Sequence, residues 1–264
     1  MITDSVKSEG FEMRYIRFGD ESAPPMVILP GLSIVSVLLS AAAVEKQFSS
    51  FADKFDIYLF DRRSDPPEDY TIAQMAEDTA EAMKLLGIES TCMYGVSQGG
   101  MIAQAIALSH PELVCCMVLA STASCAPKSL CGLAAEWREL AEKGDTEGLM
   151  HSFGRNVYSP ESYEAYKDAF SAAAKAVTGE DLRKFLIFSK DLSDESLDLS
   201  GKLGCPLLVL GSENDKVIEP AAVKELAKQH GAMSYIYKGY SHAVYDEAPD
   251  FLSKVLGFFL DMAP

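Results

Sequence analysis

The stretch Cys92-Met93-Tyr94-Gly95-Val96-Ser97-Gln98-Gly99-Gly100-Met101-Ile102-Ala103-Gln104 sets one serine between glycines, where a strand-like apolar run gives way to a helix-like one. A serine on a sharp strand-to-helix turn is held in a strained backbone conformation, and side chains two positions away on either side would collide. Gly95 and Gly99 keep both of those positions small. The helix that follows would point its amino end at the serine, where free N–H groups favour developing negative charge. Ser97 is therefore a candidate nucleophile, and the reading depends on whether the flanking chain supplies the strand, the helix and the partner residues.

It does. Apolar runs bounded by turn residues alternate with helix-period stretches, the pattern of a largely parallel sheet covered by helices on both faces, an α/β fold. Strands are expected at Phe11 to Phe18 (an opening, antiparallel strand), Met26 to Leu29, Asp56 to Phe60, Thr91 to Val96, Val114 to Ala120, Pro206 to Leu210 and Met233 to Tyr237. Helices are expected from a cap near Thr71 to Leu86, over Gln98 to Ser109 and Pro220 to His230, and from Pro249 to Leu260. Between Ala123 and Leu199 the pattern predicts helices alone, over Leu133 to Lys143, Thr146 to Phe153, Pro160 to Val177 and Gly179 to Lys190. The division that follows is a core of residues 1–122 and 200–264 with an all-helical insertion over 123–199. Met150, Phe153, Tyr158, Phe170 and Phe185 of that insertion could line a pocket, but their helical spacing favours packing.

Composition narrows the function classes. With 264 residues and 48% hydrophobic content the chain can bury a substantial core. It has no apolar run of roughly 20 residues, and Met1-Ile2-Thr3-Asp4-Ser5 lacks the basic start of a secretory signal, so a cytoplasmic protein away from membranes is expected. A net charge of -16 opposes contact with nucleic acid, whose phosphates require clustered Lys and Arg. A small-molecule substrate is the expected partner. Cys92, Cys115, Cys116, Cys125, Cys131 and Cys205 form no Cys-x-x-Cys pair, so neither a disulfide framework nor a metal site is expected. Strand alternation would also send Cys115 and Cys116 to opposite faces, away from a shared ion.

A serine hydroxyl needs a base, and four histidines are available. His110 lies at the far end of the helix leaving Ser97, His151 is inside the helical insertion, and His230 ends a helix. His242, in Gly239-Tyr240-Ser241-His242-Ala243, follows the last expected strand, at the side of the sheet where ligands bind in open α/β folds. It is the candidate base. An acid to orient it is supplied by the polar loop after Leu207-Leu208-Val209-Leu210, where Asp215 is the candidate and Glu213 the competitor.

With these residues in place the chain resembles the α/β-hydrolase superfamily over nearly its whole length, in the cofactor-independent branch of esterases, lactonases and relatives of non-haem haloperoxidases. Gly95-Val96-Ser97-Gln98-Gly99-Gly100 is similar to its nucleophile elbow, and Ser97, Asp215 and His242 follow its order, each after a strand. Asp61-Arg62-Arg63-Ser64-Asp65-Pro66-Pro67 resembles a loop that commonly reads Asp-x-Arg-Gly-x-Gly-x-Ser, without its glycines, and Pro30-Gly31 stands where many relatives have His-Gly. The resemblance implies an oxyanion hole of two backbone N–H groups, Gln98 and Leu32, with Ser33 as the fallback. It implies that 123–199 is a cap over the site, that no cofactor is needed, and that the reaction is hydrolysis of a small ester or lactone through an acyl-enzyme. Carbon–carbon bond hydrolysis or perhydrolysis by the same triad, and a non-catalytic binder that keeps the fold, are the alternatives. Relatives that open epoxides or remove halide use aspartate as nucleophile, and Ser97 argues against both.

Overall fold

A computed structural model describes residues 1–263. The chain opens with a hairpin, β1 (Ile2–Ser8) and β2 (Phe11–Gly19), turned at Gly10, whose φ of 107° suits glycine. Next come β3 (Pro25–Leu29), α1 (Ala41–Gln47), β4 (Asp56–Arg63), α2 (Ile72–Leu85), β5 (Thr91–Val96), α3 (Gln98–Ser109) and β6 (Val114–Ala120). Four helices without an intervening strand follow: α4 (Lys128–Glu142), α5 (Thr146–Val157), α6 (Pro160–Ala174) and α7 (Gly179–Phe188). The chain closes with β7 (Leu207–Ser212), α8 (Pro220–His230), β8 (Met233–Tyr237), the single turn α9 (Val244–Glu247) and α10 (Phe251–Met262). The eight strands form one sheet in the order β1-β2-β4-β3-β5-β6-β7-β8, with β2 antiparallel to both its neighbours, β1 and β4, and every other pairing parallel.

Local chemistry accounts for the elements. Thr71 caps α2 in a reciprocal box with Gln74, and Thr178 does the same for α7 with Asp181. Pro220 starts α8, and Gly231 ends it in the left-handed conformation. Side chains of the central strands divide between two cores. Tyr58, Phe60, Met93, Met117, Leu119 and Val209 face one, with α2, α3 and α8. Ile57, Leu59, Tyr94, Val118 and Leu210 face the other, with α10. Strands covered on both faces read as continuous apolar runs, which is why the central ones were legible.

Three elements differ from expectation for physical reasons. β1 went unread because it is an edge strand whose residues are mostly exposed, leaving little apolar alternation. α1 and α9 are too short for a helical period to emerge. At Cys115 the alternation rule fails outright. Thr91 pairs with Val114 but Cys92 pairs with Cys116, so Cys115 is the extra residue of a β-bulge. Cys115 and Cys116 consequently pack on the same face, the α10 side, together with Cys92. The expectation that they diverge is corrected by this irregularity. No helix among the described residues is long and apolar enough to cross a membrane.

Candidate active site

Ser97 sits between β5 and α3 at φ 51° and ψ -120°, a strained conformation; among the described non-glycine residues only Ser121 also has a positive φ. The turn holds because its surroundings fix it from several directions. Its N–H donates to the Ala120 carbonyl at 2.9 Å, and its carbonyl accepts from the Thr122 hydroxyl at 2.7 Å. A Cβ on Gly99 would lie 2.0 Å from the Leu29 carbonyl oxygen, and one on Gly95 would lie 2.7 Å from the Gly100 Cα. Both are backbone atoms of packed elements, so the two glycines are steric requirements of the turn.

His242 lies in the loop between β8 and α9, and its Nδ1 is 2.8 Å from Asp215 Oδ2. Asp215 Oδ1 accepts the N–H groups of Val217 and Ile218, each at 2.8 Å. Both side chains are buried. An ionised carboxylate only accepts, so the pairing puts the imidazole proton on Nδ1 and leaves Nε2 with its lone pair. Glu213, the competing acid candidate, is exposed and makes no bond to the ring. The other histidines lie elsewhere: His110 pairs with Glu77 at 2.9 Å, His151 bridges the Tyr163 and Ser171 hydroxyls inside the insertion, and His230 accepts from the Leu203 N–H.

Ser97, His242 and Leu32 line one cavity of about 400 Å³. The insertion contributes Trp137, Met150, Phe153, Tyr158 and Phe170 to its wall. Met150, Phe153, Tyr158 and Phe170 are thus lining residues, contrary to the packing role their spacing suggested, whereas Phe185 is fully buried. A helix wall can serve both core and cavity when the cavity lies between layers. Gln98 opens α3, so its N–H has no acceptor within the helix, and Leu32 lies in the loop after β3.

The loop carrying Leu32 and the start of α3 at Gln98 are tied by Arg62. Its Nη2 donates to the Pro30 carbonyl at 2.7 Å and to Gln98 Oε1 at 3.3 Å. The Gln98 amide in turn donates to the Phe188 carbonyl at the end of α7. Burial lowers the Arg62 pKa to about 10, which still leaves it charged at neutral pH. Arg63 turns away, donating to the Asp65 and Gly10 carbonyls and pairing with Asp78.

Sequence reasoning missed three hydroxyls. Ser121 donates to the His242 carbonyl at 2.8 Å, Ser212 donates to the Ser241 carbonyl at 2.6 Å, and Thr122 holds the Ser97 carbonyl. Each ends or follows a buried parallel strand at the cavity edge of the sheet. The available signal was a hydroxyl residue at that position.

The family model described as the alpha/beta hydrolase fold matches residues 24–249, and the chain belongs to that family. Among curated relatives, 3-oxoadipate enol-lactonase 2 of Acinetobacter baylyi is 24% identical over 151 residues, 55% of this chain and 53% of that protein. The chain thus spans about half the length of that relative. RutD of Agrobacterium fabrum, conjectured in its name to be a carbamate hydrolase, is 25% identical over 91% of this chain and 95% of its own. Among solved structures, MGS-M2, an alpha/beta hydrolase enzyme from a deep-sea metagenome library, superposes with a TM-score of 0.85 at 24% identity, covering 97% of both chains. The enol-lactonase from Burkholderia xenovorans LB400 gives 0.82 at 20% identity, over 98% of this chain and 100% of that one. These structural likenesses establish the fold.

Proposed function

We propose that this protein is a serine hydrolase of small ester-type substrates, carboxylic esters or lactones, working through an acyl-enzyme on Ser97 with His242 as base and Asp215 as its orienting acid. The observation that carries the reading is that His242, paired with buried Asp215 at 2.8 Å, lines the same cavity as Ser97. His242 Nε2 takes the Ser97 hydroxyl proton as Oγ bonds to the substrate carbonyl carbon. The oxyanion is received by the Gln98 and Leu32 N–H groups, and the charged Arg62 ties the Leu32 loop to the start of α3. The intermediate collapses by breaking the carbon–oxygen bond to the leaving alcohol, which takes the proton from His242. Water, giving a proton to the same nitrogen, then adds to the acyl carbon, and the second intermediate collapses by breaking the bond to Ser97 Oγ, which takes that proton back from His242 as the acid leaves.

Residues 123–199 serve as the cap, because helices of that stretch supply aromatic and apolar side chains to the cavity. A volume of about 400 Å³ with a mainly apolar wall suits a small uncharged acyl group. The names of two relatives, both enol-lactonases, favour including lactones in the substrate class.

The test is a panel of aryl esters and lactones with wild type and Ser97→Ala. The variant should lose roughly three or more orders of magnitude in turnover, the scale of removing a triad member. Hydrolysis by the variant near the wild-type rate would overturn the assignment. A fluorophosphonate probe should label Ser97 of the folded protein; failure to label would favour a binding protein that keeps the fold without the chemistry.

A further inference from the structure

Three thiols with no part in the proposed hydrolysis meet near the opposite edge of the sheet. Cys92 is the second residue of β5, and Cys115 and Cys116 are the second and third of β6. Their sulfurs are separated by 3.4 Å (Cys92 to Cys116), 3.7 Å (Cys92 to Cys115) and 3.8 Å (Cys115 to Cys116). All three are free thiols. The bulge at Cys115 creates the cluster, since regular pairing would put one of the two neighbouring cysteines on the other face.

We propose that Cys92, Cys115 and Cys116 form a binding site for a thiophilic d10 cation of the Zn²⁺ and Cd²⁺ class, coordinated by three thiolates. The sulfur triangle fits such an ion. With metal–sulfur bonds of about 2.3 Å, an ion equidistant from sulfurs spaced 3.4, 3.7 and 3.8 Å apart lies about 0.9 Å out of their plane. That is a shallow pyramid with one coordination position open. Near-equal spacing of three sulfurs also suits a shared ion better than a disulfide, which would join two and leave the third unused. Soft thiolate ligands select soft or borderline cations over Mg²⁺ or Ca²⁺. Cys92 and Cys116 are buried, and the half-exposed Cys115 provides the way in. Cys92 lies five residue steps before Ser97 along β5, about 16 Å at about 3.3 Å per residue, so occupancy leaves the candidate active site untouched.

The experiment is a titration of the reduced, metal-free protein with Cd²⁺, followed by the ultraviolet thiolate-to-cadmium charge-transfer band and by thermal melting. One equivalent should saturate the band, raise the melting temperature and be removed by excess EDTA. Cys115→Ser, a substitution at a half-exposed position that spares the buried pair, should reduce the band by about a third. It should also weaken binding by at least about tenfold, since loss of even an outer-shell partner costs that much. Cys131→Ser and Cys205→Ser should leave both readouts unchanged. Absence of a band at one equivalent in the folded wild type, or an undiminished band in Cys115→Ser, would overturn the site.

Discussion

The Ser121 hydroxyl donates to the carbonyl of His242 at 2.8 Å, tying the end of β6 to the loop that carries the proposed base. Ser121 is itself fully buried and held at a φ of 47°. Replacing it with alanine leaves a buried carbonyl without its partner, at a cost of about 1–3 kcal/mol, and loosens the His242 loop. Urea unfolding should show that loss, and kcat should fall while the pH profile keeps its shape. Unchanged stability and unchanged kcat together would show that the bond does not hold the loop.

Asp215→Asn should preserve the fold while suppressing the reaction. The amide oxygen can still accept from Val217 and Ile218, but Nδ1 of His242 then faces a group that no longer compels the productive tautomer. Turnover on an aryl ester should drop by roughly four orders of magnitude, the effect of the same substitution in the chymotrypsin-type triad. A drop of less than about tenfold would move the acid role to another residue.

Two glycines should respond in opposite directions to alanine. At Gly99 the added Cβ meets the Leu29 carbonyl oxygen at 2.0 Å, and neither the strand end nor α3 can yield without repacking the core. Gly99→Ala should cost about 3 kcal/mol or more. Gly257, inside α10, has nothing within 4 Å of its Cβ position, so Gly257→Ala should gain about 0.5–1 kcal/mol. Thermal melts of the two variants check both signs, and a melting temperature for Gly99→Ala at or above wild type would contradict the steric account.

His230 gives the pH dependence of stability. Burial lowers its pKa from the ordinary 6.5, its Nδ1 accepts from the Leu203 N–H, and its buried Nε2 has no partner. The unfolded chain therefore binds this proton more readily than the folded one. The contribution of His230 is intact above pH 6.5 and is lost as pH falls below it towards the folded value. Wild type should lose more stability between pH 7.5 and pH 5.5 than His230→Asn, which keeps an acceptor near Nδ1 and carries no charge. Parallel pH dependences in the two proteins would exclude His230 as the source.

Much of this protein was legible in the chain because its decisive features are local or periodic. The buried strands announce themselves as apolar runs, the helices by their caps, and the Ser97 turn by the glycines that its backbone requires. The order of Ser97, Asp215 and His242 after successive strands was equally readable, since a parallel sheet delivers every such loop to one edge. Other features depend on contacts between residues far apart in the chain. The preference for Asp215 over Glu213 is a matter of which carboxylate is buried against the ring. The bonds from Ser121, Ser212 and Arg62 join segments with no pattern in common. The bulge at Cys115 is a property of pairing between two strands, and a one-residue irregularity in that register gathers three thiols that alternation would have dispersed. Sequence determined which elements form and in what order; tertiary structure decided which polar atoms meet, because burial and register exist only once the strands have paired and packed.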